Sequence, residues 1–278
     1  MLDNNNEYVI KIKPGYTEFN YLNDLWRFRD LFYFLAWRDI LVRYKQTVIG
    51  IAWAVIRPFL TMVVFTIVFG KIAMLPSYGV PYPVLVFSAM LPWHFFANSM
   101  AESSNSLIDN EKLISKVYFP RIIIPASTVI VSLVDFFISF CLLLVLMLWY
   151  QFAPSINSFF ILIFLAQAFF TAMGAGLWLC SLNVQFRDFR YIIPFIVQFG
   201  LYISPVGFSS AAIPEKWRLL YSLNPMVGVI DGFRWALLGG ENAMYWPGYW
   251  ISLGLAVVIF ASGFWYFRKT ERMFADVI

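Results

Sequence analysis

IIIPASTVIVSLVDFFISFCLLLVLMLW, residues 122–149, decides the class of this chain. Asp135 is the one charged residue in 28 positions. At 1.5 Å per residue a helix of that length reaches about 42 Å, more than the ~30 Å hydrocarbon core of a bilayer. The run is continuously apolar. A barrel strand would alternate polar and apolar residues over about 10 positions. The segment therefore reads as a membrane-spanning helix, and the chain as an all-α integral membrane protein.

The same signature recurs on both sides of it. Further spans are expected at about 48–70, 84–100, 159–182, 191–208 and 249–267, which makes six with 122–149. Across the chain 61% of residues are hydrophobic and 13% are charged. Lys11, Lys13, Arg27, Arg29, Arg38, Arg43, Lys45, Lys112, Lys116, Arg121, Arg187, Arg190, Arg268, Lys269 and Arg272 all fall on one side of these spans, 15 of the 20 basic residues. The positive-inside rule makes that side cytoplasmic and places both termini there. The net charge of +4 thus follows topology and carries no nucleic-acid signal.

Three parts follow: a polar segment 1–23 with Asn4-Asn5-Asn6 expected to be disordered, an interfacial helix 24–47, and a membrane domain 48–278. In the second part Leu25, Phe28, Leu31, Phe32 and Leu35 recur at helical spacing among Arg27, Arg29, Asp30, Arg38 and Asp39, the pattern of an amphipathic helix lying in the interface. Between the last two spans, Glu215, Lys216, Arg218, Asn224, Asp231 and Arg234 are too many polar groups for a lipid-exposed crossing. Residues 214–238 are read as two short re-entrant helices on the outer side, with Pro214 and Pro225 in first turns, Asn224 as an N-cap and Gly239 as a stop. Non-spanning backbone at membrane depth must be buried in protein or line a wet cavity.

The sequence offers no catalytic or metal-binding constellation. Gly70-Lys71 lacks the earlier glycine of a phosphate-cradling loop, and neither an H-E-x-x-H motif nor a nucleophile elbow occurs. Cys141 and Cys180 lie in apolar spans and read as small buried hydrophobes, and His94 as a hydrogen-bonded structural residue. Neither a cofactor nor a metal is expected; nucleotide energy, if used, comes from another subunit. Intramembrane charges are functional candidates. Arg57 in the first span and Asp135 in the third lie at similar depth and are expected to pair. The spans also carry Trp53, Phe59, Phe65, Phe69, Phe195, Phe199 and Tyr202, whose aromatic faces suit a path for a sliding sugar polymer. Gly228 and Gly232 form a G-x-x-x-G of the kind used in helix packing.

Three stretches together resemble the membrane permeases of bacterial ATP-binding-cassette type-2 polysaccharide exporters, the O-antigen, capsule and teichoic-acid export family. They are Trp37-Arg38-Asp39-Ile40 through Arg43-Tyr44-Lys45-Gln46-Thr47 with Gly50, Trp53 and Pro58; Tyr118-Phe119-Pro120-Arg121 with Pro125; and Asn224-Pro225-Met226 with Asp231, Phe233 and Arg234. Arg187-Asp188 fits the same family. The resemblance implies a non-catalytic permease subunit of the bacterial inner membrane. A second copy of itself would complete the pathway, and two ATPase subunits would bind ATP and magnesium. The cargo it implies is a lipid-linked polysaccharide, the alternative being a small hydrophobic molecule or lipid. It makes residues 109–117 an ATPase-coupling helix contacting through Asp109, Glu111, Lys112, Leu113 and Lys116. It makes 24–45 a cytoplasmic gate, where Arg38, Arg43 and Lys45 would meet a lipid pyrophosphate, the two guanidinium groups through bidentate hydrogen bonds.

Overall fold

The computed structural model describes residues 21–45, 50–186, 188–239 and 244–274. The polar segment up to residue 20, with its Asn run, and Gln46, Thr47, Val48 and Arg187 lie outside the described residues. The chain forms, in order, α1 (Tyr21–Arg27), α2 (Arg29–Lys45), α3 (Gly50–Phe65), α4 (Tyr82–Asp109), α5 (Glu111–Ile114), α6 (Ile123–Trp149), α7 (Ile161–Gln185), α8 (Phe189–Ile203), α9 (Glu215–Tyr221), α10 (Pro225–Leu238) and α11 (Trp246–Thr270). All regular elements among the described residues are helical.

Five helical segments are long and apolar enough to cross a bilayer: Val55–Ile72, Tyr82–Asp109, Ile123–Trp149, Ile156–Gln185 and Trp246–Met273. The expected fifth span is shorter than anticipated. Its helix, α8, has 15 residues and a length of about 22 Å, because the chain leaves the helix at Ser204 ahead of Pro205. α3 runs on into π-helical Thr66–Ile72, whose wider turns place Phe69 against Gly207.

α4 outruns the expected span 84–100 by nine residues, ending at Asp109. The tail is polar in sequence, yet its side chains bond back to their own helix. Ser104 and Asn105 donate to the Ala101 carbonyl, Ser106 to Ser103, and Asn110 to Ser106. Polar groups satisfied in this way do not stop a helix. As a result Asp109 is the last residue of α4, and the expected coupling helix 109–117 shrinks to the single turn α5 followed by non-helical turns.

α4 lies at the centre of the packing, against α6, α7 and α10, and α11 packs on α7 and α10. Gly174 of α7 meets the backbone of Ile259 and Phe260 in α11, and Gly263 of α11 meets the Gly174 carbonyl, so no side chain separates these two helices. Gly228 and Gly232 each admit a neighbour, but on different helices: Gly228 faces Ser252 and Tyr249 of α11, Gly232 the ring of Phe164 in α7. α3, α6, α8 and α11 keep broad apolar surfaces outward.

The interfacial helix is divided at Phe28, although amide bonds from Phe28 to Asp24 and from Phe32 to Phe28 carry the helical path through. Its expected stripe turns toward the protein: Leu35 is buried, and Leu25, Phe28, Leu31 and Phe32 pack on the core. The opposite side is also apolar, with Trp26, Tyr33, Phe34, Trp37 and Leu41 exposed. The element is therefore a helix between two apolar media rather than one with a single greasy side.

The helices between α8 and α11 follow the sequence reading closely. Pro214 stands at the N-cap of α9 and Pro225 opens α10. The Asn224 side chain accepts the Met226 amide and donates to Ser204. Gly239, at φ +57°, ends α10 in a conformation that favours glycine.

Candidate functional site

The last turn of α2 presents Arg43 and Tyr44 to α4 and α6. Arg43 donates to Asp135 of α6 at 2.5 Å and to Glu102 of α4 at 2.9 Å, and the Tyr44 hydroxyl donates to the second Asp135 oxygen. The guanidinium fork suits this bridging of two carboxylates. The Arg43 and Asp135 side chains are 30% and 18% exposed, so that pair is partly withdrawn from water; Glu102 is 51% exposed and its bond is screened. Burial and the hydrogen bond to Asp135 push the Tyr44 phenol up from its ordinary value, which keeps it a donor.

This arrangement corrects the expected partner of Asp135. Arg57 makes no ion pair among the described residues and its side chain is exposed on α3. Depth counted along two spans matched Arg57 to Asp135; α2 folding back along α6 brings Arg43 there instead. His94 is likewise not hydrogen-bonded through its buried Nε2 among the described residues.

Of the three cations expected at a pyrophosphate site, Arg38 holds Asp39 at 2.7 Å and donates to the Asn110 side chain at 3.1 Å, Arg43 is placed as above, and Lys45 is exposed. Asp109, Glu111, Lys112 and Lys116 are exposed, Leu113 is half-buried, and Ile114 is buried as the anchor of α5. The turn thus presents its charges to solvent from an apolar anchor.

The aromatic candidates divide into groups. Phe65 and Phe69 of the α3 segment form an edge contact at 5.3 Å, and Phe65 meets Tyr202 of α8 at 6.4 Å. Phe195 and Phe199 lie one turn apart on α8 with ring centroids at 4.5 Å. Trp53 and Phe59 stand exposed on α3. Phe65 is buried, whereas Phe195, Phe199 and Tyr202 point outward. Gly200 of α8 seats the Trp93 ring of α4, which lets α8 lie close. Trp53, Arg57, Leu60 and Val64 follow each other at spacings of four, three and four, so the one charge on α3 shares a face with exposed apolar residues.

On the side of α9 and α10, Arg234 is 2% exposed and fully engaged. It donates to the carbonyls of Phe208 at 2.7 Å, Val206 at 3.0 Å and Leu85 at 3.3 Å, while Asp231 accepts from the Ser210 hydroxyl at 2.6 Å. These bonds hold the non-helical stretch after α8 between α10 and α4.

The residues that sequence reasoning missed are Glu102, Asn110, Tyr21 and Glu271. The first two had a signal: both lie just past an apolar run, where a polar group facing protein needs a partner. Tyr21 and Glu271 had none, since the hydrogen bond joining them links residues 250 positions apart.

Residues 30–238, from α2 through α10, match the ABC-2 type transporter family. The chain is 27% identical over 259 residues to the O-antigen export system permease protein RfbA of Klebsiella pneumoniae, covering 90% of this chain and 95% of that protein. It is 28% identical to the protein of the same name from Myxococcus xanthus, covering 77% and 82% of the two chains. It is 22% identical to the polysialic acid transport protein KpsM of Escherichia coli, covering 73% and 79%. A body of long apolar helices and a family match over three quarters of the length agree: the chain belongs to the ABC-2 type transporter family.

Proposed function

We propose that this chain is the permease subunit of an exporter that moves a lipid-linked polysaccharide, O-antigen or a similar glycan, across the bacterial cytoplasmic membrane. Two copies form the pathway, and two separate ATPase subunits dock on the cytoplasmic side and supply ATP binding and hydrolysis. The relatives are named for O-antigen export and polysialic acid transport and align over most of their length, which supports the cargo class.

The observation that carries the reading is the exposed surface of α3 and α8, helices that touch where Phe65 meets Tyr202. Arg57, exposed amid Trp53, Leu60 and Val64 and without an ion pair among the described residues, is costly in lipid and favourable beside water or a second protein surface. The exposed rings of Phe195, Phe199 and Tyr202 extend that face. A second copy applied here leaves a path lined by aromatic faces, on which sugar rings slide through their C–H surfaces without a fixed hydrogen-bond pattern. Phe65 and Phe69 buttress it from behind.

Six spans then cross the membrane, with α8 and the stretch to Phe208 as the fifth, and both termini are cytoplasmic. α9 and α10 enter the outer leaflet and return as a gate. The lipid pyrophosphate comes in past exposed Lys45, with Arg38 and Arg43 behind it, their guanidinium groups already oriented by protein carboxylates. ATP-driven closure of the motor moves residues 109–117, and α6 and α2 pass the movement on. No bond is made or broken by this chain, and nucleic acid has no part.

The test is twofold. Depleting the chain should strand lipid-linked glycan in the inner leaflet, and a normal surface glycan would refute the cargo. Leu60→Cys or Phe199→Cys in a cysteine-free background should cross-link two copies; a protein that is cross-linked only through the opposite face, for example from Leu148→Cys, would refute the pathway.

A further inference from the structure

The coupling turn, residues 110–122, is held at both ends by elements remote in sequence. At its start, the Asn110 side chain accepts from Arg38 of α2. At its end, the Arg121 main-chain amide donates to Glu271 Oε1 at 2.7 Å, and the Arg121 guanidinium donates to the Glu271 main-chain carbonyl. The second Glu271 oxygen accepts from the Tyr21 hydroxyl of α1 at 3.4 Å. The Arg268 guanidinium lies 3.4 Å from the centroid of the Tyr21 ring.

The chemistry of the pair is reciprocal. The first amides of a helix lack partners and favour a carboxylate; the last carbonyls lack partners and favour a cation. Glu271, just beyond α11, supplies the carboxylate for the approach to α6. Arg121, just before α6, supplies the cation for the end of α11. Arg121 thus caps the end of α11, and Glu271 holds the main chain one residue ahead of the N-cap of α6. Phe274, buried against Phe267, holds the tail of α11 in place behind them.

We propose that Glu271 is a positioning residue for the coupling turn, through which force applied to that turn reaches α11 and α1 together with α6. It rests on the proposed reading of the chain as an ATP-driven permease and names the device that reading needs. Residues 21–45 follow a nearly continuous helical path, with Tyr21 at one end of the turn and Arg38 at the other. Once Glu271 closes the second tie, the turn and this path form a loop of contacts that shifts as one body. Without it the turn keeps its tie at Asn110 and the burial of Ile114 and Phe119, and part of its displacement is absorbed in residues 115–121.

The experiment uses the full complex of this chain with its ATPase, in cells and in proteoliposomes, and reads glycan exported per ATP hydrolysed. Glu271→Ala removes the carboxylate. Glu271→Gln keeps one oxygen able to accept the Arg121 amide, and Tyr21→Phe removes a single hydroxyl and does not endanger folding. With the complex assembled at the parental level, Glu271→Ala should retain ATP hydrolysis and lower export per ATP by about fivefold, with Gln and Phe lowering it by about twofold. If export per ATP is unchanged in all three, or if export and hydrolysis fall together in proportion to a reduced amount of complex, the inference is overturned. Should Glu271→Ala not assemble, Tyr21→Phe and Glu271→Gln decide by the same ratio. A parental complex that hydrolyses ATP without moving glycan would instead refute the transport reading.

Discussion

Replacing Arg234 with methionine isolates the function of one buried cation. The side chain is almost fully enclosed and serves three carbonyl oxygens. Leu85 lies inside α4, where the helix itself provides an amide for its carbonyl. The carbonyls of Val206 and Phe208 lie in the stretch after α8 and lose their Arg234 partner. A buried acceptor left without a partner costs about 1–3 kcal/mol, so two of them cost roughly 2–6 kcal/mol, and methionine fills much of the vacated volume. Taking about 3 kcal/mol, near the low end, the locally opened form of residues 204–213 becomes about 100-fold more populated. Ser209 sits in that stretch and is 9% exposed, so Ser209→Cys reports the opening. In a background carrying Cys141→Ala and Cys180→Ala, a membrane-impermeant maleimide should label Cys at that position about 100-fold faster when Arg234 is methionine. Arg234→Lys, with a single ammonium unable to reach every carbonyl, should fall between the two. A labelling rate within about twofold of the parent would show that the carbonyls find other partners and that the buried arginine does not hold the stretch.

The pairing at α2 can be separated from the alternative by double-mutant cycles on thermal stability in detergent. Arg43→Ala and Asp135→Asn should couple by about 1–2 kcal/mol, whereas Arg57→Ala and Asp135→Asn should add within about 0.5 kcal/mol. Gly200→Val drives a branched side chain into the Trp93 ring and should destabilise by about 1–3 kcal/mol, with Trp93→Leu in the same chain recovering part of the loss in the melting temperature.

The spans were legible because length and apolarity are set by the bilayer, and a run such as 122–149 admits few other readings. The caps of α9 and α10 were legible because proline and asparagine act within one turn of chain. The extent of α4 was hidden, since a serine's polarity is visible in sequence while its bond to the carbonyl three positions earlier is not. The Arg57 pairing failed for a related reason. Counting residues into each span gives depth but not azimuth, and it ignores an interfacial helix that can deliver its own cation to Asp135. Of the candidate site, the charges of the turn after α4 and the aromatic positions could be read from the sequence; which rings contact one another, and the tie from Arg121 to Glu271, depend on how distant helices meet.

The direct backbone contact of Gly174 and Gly263 fixes where this molecule can change shape. At that crossing no side chain can rotate between the two helices, so neither can slide past the other there without opening the contact. α7 and α11 therefore move as one unit, so whatever displaces the end of α11 carries α7 with it.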